Sequence, residues 1–192
     1  MNLFLLSTLE VTLIIVGAVL LLIVLWYIGA VNKFRQLEVK VDEAMSGIDV
    51  ALTKRFDALT KLLDTTKGYA KHESETLEKV IKWRNGIPSN ATLEDKQEFA
   101  NQLTKVANGL NVVVENYPDL KANTMFNNLQ KAIMDTEEHL QASRRLYNSN
   151  VRIINEMIVK IPYSIVARNI NMTKKPFFEA EAAKRQDVKM NF

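Results

Sequence analysis

The sequence predicts an all-α protein: an N-terminal transmembrane helix that continues into an antiparallel three- to four-helix bundle. Three observations carry that expectation. Between Glu10 and Lys33 lie 22 residues without a formal charge. Beyond them, apolar residues recur at spacings of three or four, the period of one helix face. The 192 residues include only 6 Gly and 4 Pro, so few positions can interrupt a helix.

The uncharged run, "VTLIIVGAVLLLIVLWYIGAVN", spans residues 11–32. At about 1.5 Å per residue it covers the roughly 30 Å hydrocarbon layer of a bilayer. Trp26 and Tyr27 fall near its C-terminal end, where amphipathic rings favour the membrane interface. A cleaved signal peptide would need a basic start, a shorter apolar core and a small-x-small site. Residues 1–10 hold no Lys or Arg, so a permanent anchor is the better reading. Lys33, Arg35 and Lys40 follow the span, and positive-inside logic places residues 1–10 outside and the rest in the cytoplasm. Trp26, Tyr27, Lys33 and Arg35 are thus the expected interface residues of the anchor.

The bundle is expected over residues 33–162, with helices at about 33–85, 92–117 and 120–161. Phe34, Leu37, Val41, Ala44, Ile48, Leu52, Phe56, Leu59 and Leu62 form the first seam, eight steps covering 28 residues. That average of 3.5 is a bundle or coiled-coil repeat. Asn85-Gly86-Ile87-Pro88 ends the run. Thr92 opens the second helix with Asp95 three residues on, an imperfect capping box. Its seam runs Phe99, Leu103, Val106, Leu110, Val113 and Tyr117, and Pro118 stops it. In the third helix Phe126, Ile133, Leu140, Tyr147, Ile154 and Ile161 recur every seven residues. A second line, Leu129, Thr136, Ser143, Asn150 and Met157, mixes small and polar groups that suit close helix approach. Short links then predict up-down-up order. Helix one is longer than helix two, so it either bends near Gly68 or stands clear as a stalk. The apolar seam of such a stalk needs cover from the tail or a second protomer. Residues 163–192 read as a basic tail with a short helix over Glu179–Arg185. Lys174, Lys175, Phe177 and Phe178 in it would touch anionic lipid or, on the simpler reading, cover the open end of the bundle.

Little of this pattern suggests chemistry. Without cysteine there are no disulfides, thiolate nucleophiles or Cys-containing zinc sites. A net charge of +3 is too small to argue for nucleic acid. The two histidines, His72 and His139, have acidic neighbours in sequence, but neither shows the spacing of a helical metal site. Both read as solvated helix surface. Glu137, Arg144, Asn148 and Asn155, spaced seven, four and seven, share a face of the third helix. They form either a solvated stripe or a polar seam for a partner.

Taken together these segments resemble the LemA family over nearly the whole chain. One block is "GIDVALTKRFDALTKLLDTTKGYAKHE", which holds Asp49, Arg55, Gly68, Tyr69, His72 and Glu73. A second is "ENYPDLKAN" with Tyr117 and Pro118. The third, "RRLYNSNVRIINEMIVKIP", carries Arg144, Tyr147, Asn148 and Asn155. Thr60 stands where the family usually has proline, and Ile154 and Ile161 where it tends to have aromatics. The resemblance implies a single-pass protein of the bacterial inner membrane with a helical bundle, and similar proteins are linked to membrane-associated assembly. It implies no enzyme activity and no cofactor. With Glu137, these residues form the candidate interaction or structural motif. The expected function is a membrane-anchored scaffold or adaptor acting through oligomerisation or partner recruitment. The alternative is a regulatory subunit of a membrane protease or transporter. Expected partners are membrane lipid, further copies of the chain or other membrane proteins, and no nucleic acid.

Overall fold

The computed structural model describes residues 8–66, 88, 91–118 and 122–179, with the side chains of 112–116 excepted. All regular structure among them is helical: α1 (Thr8–Thr66), α2 (Leu93–Asn116), α3 (Thr124–Val159) and α4 (Tyr163–Asn169). The helix boundaries follow local chemistry. At the start of α2 the backbone N–H of Asp95 donates to the Thr92 hydroxyl at 3.1 Å. The Thr92 N–H donates back to the Asp95 carboxylate at 2.9 Å, so the capping box closes with Asp in the Glu position. The carboxamide oxygen of Asn123 caps α3 by accepting from the N–H groups of Met125 and Phe126 at 2.9 and 3.2 Å.

The chain divides into two compact units. The first is Met1–Val41 with Asn150–Pro176. Its core sets Ala30, Phe34, Leu37 and Val41 of α1 against Val151, Ile154 and Met157 of α3 and Val166 and Ala167 of α4. The part of the α1 seam next to the bare run is therefore covered by the chain's own α3 and α4. Asn150 donates to the Lys40 carbonyl at 3.0 Å, a fixed point for the register of α3 on α1. N-terminal to Ala30 the described part of α1 is bare: no side chain from Thr8 to Gly29 is buried, and only Tyr27 is partly covered.

The helix α4 was not anticipated: residues 163–192 were expected to form a basic tail whose short helix lay further on, over Glu179–Arg185. After a cis Ile161–Pro162 bond the chain makes two more helical turns. Asn171, with φ of 54°, then ends them. Its N–H donates to Arg168 O and that of Met172 to Ala167 O, the paired bonds of a Schellman stop. Asn tolerates this left-handed backbone better than most residues. The chain then runs without regular structure through Glu179. Ile161, the last residue of the seven-residue repeat, is 78% exposed because the helix has already ended at Val159.

The second unit is Asp42–Ser149 with Phe177–Phe192. Here Ile48, Leu52, Phe56, Leu59 and Leu62 of α1 meet Phe99, Leu103, Val106 and Leu110 of α2 and Phe126, Ile133, Leu140 and Tyr147 of α3. Gly47 lies close enough to α3 that a Cβ there would sit 3.6 Å from the Ser143 hydroxyl, the small-residue approach expected of that line. α1 continues unbroken through Thr60, whose hydroxyl donates to the Phe56 carbonyl at 2.9 Å.

The direction of α2 differs from the expected order. Asp49 pairs with Lys96, and Arg55 with Thr104, so α1 and α2 run the same way. Arg55 pairs with Glu137, and Gln130 donates to Asn111, so α3 is antiparallel to both. A plain up-down-up chain would make α1 and α2 antiparallel. Thr66 and Leu93 therefore lie at opposite ends of the parallel pair. Periodicity identifies the buried face of a helix but not the direction of its neighbour. The expected continuation of helix one to 85, its end at Asn85–Pro88 and the proposed bend at Gly68 fall largely on 67–87, outside the described residues. The expected start of the third helix at 120, and all of the short tail helix over Glu179–Arg185 but its first residue, also lie outside the described residues.

The inward and outward faces of α3 can be separated by mutation. Leu140→Ala opens a cavity in the second unit and is expected to cost about 3 kcal/mol. Leu146→Ala, on the exposed face, is expected to stay within about 0.5 kcal/mol of the parent. Urea unfolding in detergent, followed by circular dichroism, checks both.

Candidate functional site

The second unit holds a cluster of buried and half-buried charges. Arg55 on α1 is 97% removed from solvent, with a side-chain exposure of 3%. Its Nη1 lies 2.6 Å from Glu137 Oε2 on α3 and donates to the Thr104 hydroxyl on α2 at 3.1 Å. One guanidinium thus ties three helices, both contacts running through the same nitrogen. The other Glu137 oxygen accepts from Gln141 Nε2 at 2.7 Å. A second pair, Lys96 Nζ to Asp49 Oδ2 at 2.7 Å, joins α1 to α2.

Arg144, two turns beyond Glu137, completes the cluster. Its guanidinium carbon sits 4.8 Å from the centroid of the Phe178 ring, a cation–π contact. Burial pulls both arginines below their ordinary pKa, and the Glu137 carboxylate pushes each back up. For Arg144 the neighbouring Arg55 adds to the depression. Two arginines and a lysine face two carboxylates, leaving one surplus positive charge. The Nε atoms of Arg55 and Arg144 and Oδ1 of Asp49 are buried without a hydrogen bond to another protein group. Tyr147, in the core beside them, is raised by burial and then by Asp42 and Glu94.

The polar line on α3 has a third outcome, neither a solvated stripe nor a partner seam. Asn148 donates from Nδ2 to the Phe178 carbonyl at 2.9 Å and accepts the Phe178 N–H at 2.8 Å. Gln97 donates to the Phe177 carbonyl at 3.3 Å. Phe178, 4% exposed, is thereby held by backbone and by ring. In the first unit Asn155 does the same for Lys175, donating to its carbonyl at 2.8 Å and accepting its N–H at 2.9 Å. The Lys175 ammonium lies 3.7 Å from Glu38. A carboxamide offers a donor and an acceptor side by side, matching the two backbone groups of one extended residue. Phe177, by contrast, stays partly exposed.

The candidate residues divide clearly. Asp49, Arg55, Glu137, Arg144, Tyr147 and Asn148 come together in the second unit, and Asn155 serves the first. Trp26, Lys33 and Arg35 are exposed, with Arg35 paired to Glu38 at 2.9 Å. Tyr117 is exposed rather than ending the apolar seam, and Pro118 is exposed beside it. Gly68, Tyr69, His72 and Glu73 lie outside the described residues. His139 is on the surface. Lys96, Thr104 and Phe178 were missed as site members. Lys96 carried a signal, because it stands one helical step before Phe99 on the apolar seam. Among the described residues no His, Cys, Asp and Glu cluster could hold a metal.

With this geometry in hand, comparison with known proteins is decisive for ancestry. The LemA family model matches residues 44–192, more than three-quarters of the chain. The chain belongs to the LemA family. It is also similar to Protein LemA of Metamycoplasma hominis, 29% identical over 164 residues, 84% of this chain and 74% of that protein. The matched family span takes in the whole charge cluster and its Phe178 clasp, and begins after the bare part of α1.

Truncating one partner of the central pair should cost more than removing both. Arg55→Met leaves Glu137 with Arg144 as its one remaining cation in the cluster and is expected to destabilise by about 2 kcal/mol, given that Glu137 keeps a third of its surface in water. Adding Glu137→Leu should recover part of that loss, the remainder reflecting the carboxylate it takes from Arg144. Thermal unfolding of the single and double variants reads the difference.

Proposed function

We propose that this LemA-family chain is a membrane-anchored helical scaffold that acts by self-association or partner recruitment rather than by catalysis. The observation that carries the reading is the division of α1. From Thr8 to Gly29 its side chains are uncovered and almost wholly apolar; from Ala30 onward its seam is packed. In water such a bare run would be an aggregation liability. Its 22 residues rise about 33 Å, the depth of a hydrocarbon layer. The one candidate membrane span among the described residues is this helix. Lys33 and Arg35 on the packed side favour a bundle in the cytoplasm and the opposite end outside.

The charge cluster supports the scaffold half of the reading. Its groups are turned toward one another and toward the chain's own Phe178, as expected of a device that sets helix register. Val50, Met134 and Leu146 of the second unit are exposed apolar positions, each available to a partner.

The test is crosslinking in intact membranes with the anchor present. The reading expects the chain to resist alkaline carbonate extraction and to yield discrete crosslinked species. A carbonate-soluble chain would sink the anchor, and a strictly monomeric chain with no crosslinked neighbour would sink the scaffold. A single stoichiometric integral-membrane partner would make the chain a regulatory subunit instead.

A further inference from the structure

We propose that the turn joining α3 to α4 is a second membrane contact, with Val159, Ile161 and Ile165 seated in the interfacial layer of the bilayer that α1 crosses. The inference rests on the anchor reading and adds a residue-level contact to it.

The first observation is exposure. Val159, Ile161 and Ile165 are 59%, 78% and 60% exposed within a stretch of seven residues. Scattered apolar side chains on a surface need no explanation, but three large aliphatics on one short turn do. α4 is two-faced, with Val166 and Ala167 buried while Ile165 points away from the unit. The turn is therefore held firmly from beneath and bare above.

The second observation is position. Tyr163, two residues after Ile161, packs against α1 where the bare run ends. Its ring centroid lies 5.8 Å from that of Trp26 and 6.4 Å from that of Phe34. The Lys33 ammonium is 5.8 Å from the same ring. Ala30, between Trp26 and Phe34, is the first buried residue of α1. A bare segment of about 33 Å places the bilayer surface at this level, and Trp26 is a residue type that prefers it. The aliphatic turn thus sits at the depth where water gives way to lipid.

The third observation is charge. From Met157 to Lys174 the sequence has Lys160, Arg168 and Lys174 and no acidic residue. Lys160 and Arg168 are exposed, as is Lys33 on α1. Apolar side chains flanked by long basic ones are the composition of an interfacial segment, the aliphatics entering the acyl boundary while the ammonium and guanidinium groups reach anionic headgroups. A protein partner would have to reach the same place beside the membrane span, where lipid is already present.

The chain's lack of cysteine makes the test direct. Single cysteines at Ile161, at Leu20 in the bare run and at Met134 in the second unit are labelled with an environment-sensitive fluorophore. The full chain is reconstituted in phosphatidylglycerol–phosphatidylcholine vesicles containing lipids spin-labelled at shallow or deep acyl positions. The expected result is strong quenching at position 161 by the shallow label, at position 20 by the deep label, and none at 134. Quenching at 20 with position 161 as silent as 134 overturns the proposal while leaving the anchor intact. Silence at both 20 and 161 removes the anchor and the proposal with it. A blue-shifted but unquenched label at 161 means a protein surface covers the turn, which also overturns it. Ile161→Asp with Ile165→Asp, both exposed and so compatible with folding, should abolish the remaining interfacial signal of a label at Val159 while leaving that at Leu20 unchanged.

Discussion

A guanidinium withdrawn from water has to be met by acceptors, and the second unit is built around meeting one. Arg55 takes Glu137 from one helix and Thr104 from another, and neither acceptor can be reached if α2 or α3 slides by a turn. The apolar seams alone would tolerate a slip of two turns, because a seven-residue repeat looks much the same one heptad along. Burying the charge is costly, and removing it by exchange for apolar residues is often neutral. What the cluster contributes is a choice among registers that hydrophobic packing leaves nearly equivalent.

The surplus positive charge has a structural counterpart in Phe178. Arg144 shares Glu137 with Arg55 and repels it, so its own guanidinium is underserved by carboxylate. The electron-rich face of an aromatic ring is a compensating neighbour that adds no further charge to the core. Asn148 then fixes the backbone that carries the ring. A segment with no regular secondary structure thereby becomes part of the unit through one ring and two carboxamides, those of Asn148 and Gln97. Asn155 holds Lys175 in the first unit by the same two-point grip, which accounts for two asparagines on a helix whose interior would otherwise disfavour them.

The helical class, the nine-residue seam of α1 and the capping box at Thr92 were all legible in the sequence, because each is a short-range pattern with one physical meaning. The four-residue polar line on α3 was visible as a line but not as a clasp. Asn, Arg and Glu at heptad spacing say only that a face is polar; that residues 175–178 return to cover it depends on a turn at Asn171 and on a helix, α4, whose seven residues are too few to show a period. The parallel course of α2 was hidden for a related reason. Asp49, Arg55, Lys96 and Thr104 fix it through contacts 47 and 49 residues apart in sequence, and no local repeat encodes such separations. Lys96 was the exception, a charge standing on an apolar seam, and such misfits are the better guide to where a bundle keeps its internal pairs.

The same reasoning explains why the bare part of α1 and the charged core need not conflict in one chain. In a bilayer the hydrophobic driving force between helices vanishes, since lipid is as apolar as the seam it would replace. A segment meant for lipid can therefore be uniformly apolar and carry no register device. Once the helix enters water its seam must be covered, and the polar fixings begin there: Asn150 on the Lys40 carbonyl in the first unit, Gly47 against Ser143 and Arg55 on Glu137 in the second. On the anchor proposed above, the change from featureless to specified side chains along α1, from Ala30 onward, corresponds to a change of solvent.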